Sequence, residues 1–202
     1  MDVICEIAED LAAGRTDRLD RLFTDDDAPP PRLLPDPAPD ALPIPLPRLL
    51  DHWTSLCAGD ALPAPRAVDP ADLRFILGNL MLVDVGPPGP SGVPAFVYRL
   101  YGTRIAACYG HDMTGRTTAD FASRLAVFFA ATYEAVRRSR RPLYTEHTPH
   151  PPSGITRWQR LILPLAGPDG AVCRFLVGNQ AVTSIPCGPL MPQRAGRREP
   201  GG

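Results

Sequence analysis

Phe96-Val97-Tyr98-Arg99-Leu100-Tyr101-Gly102-Thr103-Arg104-Ile105-Ala106-Ala107-Cys108-Tyr109-Gly110-His111-Asp112-Met113-Thr114-Gly115-Arg116 is the stretch on which the fold turns. Residues 96–101 alternate at period two, with Arg99 marking the outer face, so they read as a strand. Gly102-Thr103 interrupts that pattern, and Thr103 can cap a short helix reaching Tyr109. Gly110 and Gly115 bracket the loop that follows.

Downstream, Thr118 can cap a longer helix to about Ser139. Its apolar stripe is Phe121, Leu125, Phe128, Phe129, Thr132 and Val136. Three strands follow over 143–148, 156–165 and 172–183. Gly167-Pro168-Asp169-Gly170 turns the last two into a hairpin. Upstream, Met81 to Val85 reads as a strand. Leu49, Leu50, Trp53, Leu56 and Cys57 repeat at helical spacing behind Pro47, and Gly59 ends that helix. Asp69-Pro70-Ala71-Asp72 opens a second short helix that stops near Gly78-Asn79. Consecutive strands joined by short turns favour antiparallel pairing, so the class is α+β. Helices should cover one face of the sheet.

Residues 1–27 predict a short helical N-terminal segment, with Val3, Ile4, Ile7, Ala8 and Leu11 on one face. Residues 28–46 form a proline-rich linker: nine prolines fall between Pro29 and Pro47. Proline fixes φ and donates no hydrogen bond, which excludes a helix or a central strand there. The compact domain is expected over 47–183, and the Pro-, Gly- and Arg-rich tail over 184–202 should be disordered.

The 202 residues carry a net charge of −1, and all 21 basic residues are Arg. That balance gives no electrostatic case for nucleic acid. The five cysteines are odd in number and lack a CxxC, which reads as reduced thiols in a cytoplasmic protein. An acidic N-terminus excludes an ordinary secretory signal, and no apolar run is long enough to insert in a membrane.

These pieces together resemble a PAS subfamily widespread in alphaproteobacteria, often found as single-domain proteins. The resemblance is carried by Trp53, Gly59, Pro63 and Arg66, by Asp69-Pro70 with Leu73, and by Tyr98-Arg99-Leu100-Tyr101 with Gly102-Thr103. Met113-Thr114-Gly115-Arg116, Arg160, Leu163-Pro164-Leu165 and Asp169-Gly170 complete it. It implies a five-stranded antiparallel PAS sheet with helices on one face. It also implies a sensory or regulatory module acting in trans by protein contact, possible homodimerisation, and partners such as sensor histidine kinases. With no output domain visible after Thr183, any signal is expected to leave by contact.

Candidate chemistry is sparse. Val172-Cys173-Arg174-Phe175-Leu176 looks like the flavin-adduct motif of light-sensing PAS domains. It lies in the final strand rather than before the middle helix, so Cys173 reads as a strand thiol. The 118–139 helix offers no axial His for heme. His111 is a poor substitute, and His147-x-x-His150 sits among prolines in what reads as a solvated loop. The cofactor is therefore unknown, with heme and flavin-adduct chemistry unsupported. Cys108 and His111 lie one helical turn apart, but a structural cysteine is the simpler reading. No GxSxG, P-loop or HExxH is present. Asp84 and Glu146, the strand carboxylates an enzyme would need, are expected to face water. The chain thus reads as no enzyme. Tyr98, Tyr109, Phe129, Tyr133 and Trp158 form a candidate ligand pocket of aromatics with polar tips. Arg137, Arg138, Arg140 and Arg141 form a candidate partner surface, or simply complement the helix dipole. The rival to a ligand-responsive module is a scaffold with a filled core.

Overall fold

The computed structural model describes residues 2–24, 29–149 and 155–183. Two helices open the chain, α1 (Val3–Ala12) and α2 (Asp17–Arg21), followed by β1 (Arg32–Pro35) and α3 (Leu46–Ser55). Next come β2 (Leu80–Pro88), β3 (Pro94–Tyr101), α4 (Thr103–Tyr109) and α5 (Ser123–Ser139). The last three strands are β4 (Leu143–His147), β5 (Ile155–Ala166) and β6 (Val172–Thr183).

The sheet has six strands, not the expected five, in the order β1-β4-β5-β6-β2-β3 with antiparallel neighbours. The sixth comes from the proline-rich segment. Residues 32–35 add to β4 at the sheet edge, Arg32 opposite Glu146. An edge is where proline is tolerated, because one side of the strand needs no partner.

Helices cover both faces of the sheet, which corrects the expectation of one. On one face α5 buries Leu125, Phe128, Phe129 and Val136, and α1 packs along α5. On the other, α3 buries Leu46, Leu49, Leu50 and Trp53 against Leu161, Leu163, Leu165 and Leu176. The Trp53 indole donates to the Pro164 carbonyl at 2.9 Å. Gly178 makes room for α3: a Cβ there would come within 2.6 Å of Leu49 Cδ2. The unbroken apolar run 161–165 is what a strand buried on both faces requires.

Smaller departures concern helix starts. The Asp69-Pro70 segment forms successive tight turns and a 3₁₀ turn at Leu77–Asn79 rather than a helix. Asp69 still accepts from the Ala71 N–H at 2.8 Å. Thr117, not Thr118, caps a 3₁₀ turn over Thr118–Asp120, and α5 begins after it. Gly167 and Gly170, the latter at φ 78°, close the β5–β6 hairpin as expected. No described helix is long and apolar enough to cross a membrane.

Candidate functional site

Strand alternation puts Trp158, Arg160 and Ile162 on the α5-facing side of β5, in phase with Thr145 and His147 of β4. The register then builds a row. Thr145 stands opposite Arg160, and Arg160 opposite Asn179 of β6. Three polar side chains therefore cross three adjacent strands on a largely apolar face. All are buried, with Arg160 only 2% exposed.

Above this row, between sheet and α5, lies a cavity of about 180 Å³. β2 and β3 contribute Met81, Tyr98 and Tyr101 to its wall. Tyr109 of α4, Phe121, and Leu125 and Phe129 of α5 close another side. His147, Trp158, Arg160 and Asn179 supply the sheet side. Of the five aromatics expected to form a pocket, Tyr98, Tyr109, Phe129 and Trp158 line it. Tyr133 lies behind the wall, stacked on Phe175 at 5.2 Å.

Arg160 is the unusual member. Its guanidinium carbon sits 4.4 Å from the Phe129 ring centre and 5.3 Å from that of Tyr133. Among the described residues neither Nη1 nor Nη2 has a hydrogen-bond partner, and the same holds for Asn179 Oδ1 and His147 Nδ1. A desolvated cation–π contact is worth about 2 kcal/mol, whereas removing a cation from water costs several. The aromatic faces therefore offset only part of the burial cost.

The surrounding groups are held neutral. Burial, followed by the charge on Arg160, pushes His147 well below its usual range. Its ring packs against Phe128 and Phe129 at 5.2 and 5.3 Å. Burial, then the neighbouring Tyr133, raises the Tyr98 hydroxyl far above normal, and burial raises Tyr101 likewise. No acidic side chain is among the described wall residues. At neutral pH the described wall thus carries one formal charge, and it is positive.

The other sequence candidates are placed elsewhere. His147, read as part of a solvated loop, is buried at the end of β4, and His150 lies outside the described residues. Glu146, expected to face water, is 8% exposed. It lies on the opposite face from His147 and accepts from the Tyr144 hydroxyl at 2.6 Å and Arg157 at 2.8 Å. Asp84 is half-buried in an ion pair with Arg174 at 2.5 Å. Arg137 and Arg138 both bind the buried Glu134, and Arg138 also reaches Glu9 at 3.0 Å. Arg140 donates to the Gly170 carbonyl, while Arg141 stays exposed, 4.0 Å from Asp36. Three of the four arginines of the expected partner surface therefore have close partners within the chain. Among the described residues, Cys5, Cys57 and Cys173 are free thiols. His111 is exposed. Among the described residues no cluster of His, Cys, Asp and Glu could hold a metal ion.

Arg160, His147 and Asn179 were absent from the sequence-derived site. Their signal was present: a charge at 160 in phase with Trp158 and Ile162 must point inward if the strand is regular.

A family model described as PAS domain matches residues 43–178. No curated protein matches the chain.

Proposed function

Because the chain belongs to the PAS domain family, whose members are in general sensory or regulatory modules, we propose that it is a non-enzymatic regulator gated by a small ligand. In this reading it resembles the single-domain PAS proteins of alphaproteobacteria and works in the cytoplasm. It acts in trans, by contact with signalling proteins such as sensor histidine kinases. The observation that carries the reading is the cavity between sheet and α5, walled by aromatics and holding buried polar atoms without partners. A scaffold with a filled core would leave no such space.

Native mass spectrometry of the protein purified from its own host tests the gate. A retained small molecule supports sensing; bare protein under every growth condition argues for a scaffold. Capture of partners with and without the retained molecule tests the output. If no signalling protein is recovered in either state, action by contact fails.

A further inference from the structure

Resting on the ligand-gated reading above, we propose that the cavity takes a small monocarboxylate with an apolar, single-ring-sized body, its carboxylate held by Arg160. The guanidinium is nine-tenths buried and more, lines the cavity, and has two nitrogens without partners. Buried charges in proteins are paired, and the described wall provides no anion to pair with this one. The guanidinium fork matches a carboxylate in plane and spacing, which a lone aromatic cage does not exploit.

The rest of the wall sets the remainder of the ligand. Asn179 stands across from Arg160 on β6, and its side chain also lines the cavity. It can donate its amide N–H to a carboxylate oxygen. Phe121, Leu125 and Phe129 offer an apolar seat for the body. A dry cavity of about 150 Å³ accepts benzene, so about 180 Å³ suits one ring and a short polar end. With one cation in the wall, a dianion would leave a charge unpaired, and a cationic ligand would meet Arg160 directly.

The test uses the full chain in chloride-free buffer, with calorimetric titration and thermal unfolding. The probes are benzoate, phenylacetate, cyclohexanecarboxylate and hexanoate, set against benzamide, benzylamine, toluene and nitrate. At least one carboxylate should bind and raise the midpoint. Its neutral counterpart should bind about tenfold more weakly or worse, because the charge-assisted pair is lost. Benzylamine should not bind. Arg160→Met should lose the carboxylate by about tenfold or more yet keep toluene, with Arg160→Lys intermediate.

The outcomes separate the two readings. Toluene or benzamide binding as tightly as every carboxylate overturns the anion proposal and leaves the ligand-gated reading standing. Nitrate matching the carboxylates overturns the apolar body. Silence from the whole panel overturns both. The wild-type series decides even if Arg160→Met fails to fold.

Discussion

Arg138 Nε lies 2.6 Å from Glu134 Oε1, one turn back on α5, and the glutamate side chain has no exposure to solvent. Arg137 closes the other oxygen at 2.7 Å. Arg138 also reaches Glu9 of α1 at 3.0 Å. The basic cluster is therefore first a clamp between two helices.

Breaking a buried pair costs about 3–5 kcal/mol, less where one partner is partly exposed. The two arginine side chains are 35% and 31% exposed. Arg138→Ala should thus lower stability by about 2 kcal/mol, read from the urea midpoint. Arg141, 71% exposed, should tolerate Arg141→Glu within about 0.5 kcal/mol. Equal losses at the two positions would refute the clamp. Any partner surface should accordingly be probed at Arg140 and Arg141, where a loss of affinity is not confounded by unfolding.

Arg160 sets a second expectation. An uncompensated buried cation weakens the empty protein, and apolar replacement of buried charges is often neutral or gains about 1–4 kcal/mol. Arg160→Met should therefore raise, or leave unchanged, the thermal midpoint of ligand-free protein. A fall of several degrees would show that the aromatic cage alone already satisfies the charge.

Gly102 is needed for space rather than for backbone freedom. Its φ of −56° and ψ of 140° suit any residue. A Cβ there would collide with the Gly78 carbonyl and come within 2.8 Å of the Leu80 oxygen. Backbone cannot give way as a side-chain tip can, so Gly102→Ala should cost about 2 kcal/mol or more. A loss below about 0.5 kcal/mol in denaturant titration would contradict this close approach.

Acid sensitivity should come in two windows. His147 binds its proton less readily folded than unfolded, under burial and the charge of the facing Arg160. The unfolded chain then takes up the proton first as pH falls. Stability is whole above about pH 6.5 and declines below it, by at most about 1.4 kcal/mol per pH unit. Glu146 is shifted down, since the Tyr144, Arg157 and Arg32 interactions outweigh its burial. Its contribution is present above about pH 4.5 and is lost only in stronger acid. His147→Gln should flatten the stability profile between pH 6.5 and 5. An unchanged slope there would place the acid response elsewhere.

Much of the fold was legible along the chain. Thr103–Tyr109 forms the expected short helix, though Gly102 rather than Thr103 takes its cap position, and Val172–Thr183 forms the expected last strand. Both are decided locally, by turn residues and by period. The edge strand at Arg32–Pro35 was not legible, because four residues among prolines acquire a strand's hydrogen bonds only from β4. The second buried face was half-written in Leu161-Ile162-Leu163-Pro164-Leu165, but only α3 folding back shows what covers it.

The candidate site divides in the same way. Aromatic residues at 98, 109, 129 and 158 could be singled out from sequence because bulky rings with polar tips suit a pocket wherever they meet. That Thr145, Arg160 and Asn179 meet in one row could not, since register between β4, β5 and β6 fixes it. Local chemistry, written residue by residue, determined the order and kind of the elements. Tertiary structure decided which side chains share a space, and so left Arg160 buried beside rings with no carboxylate among the described residues to meet it.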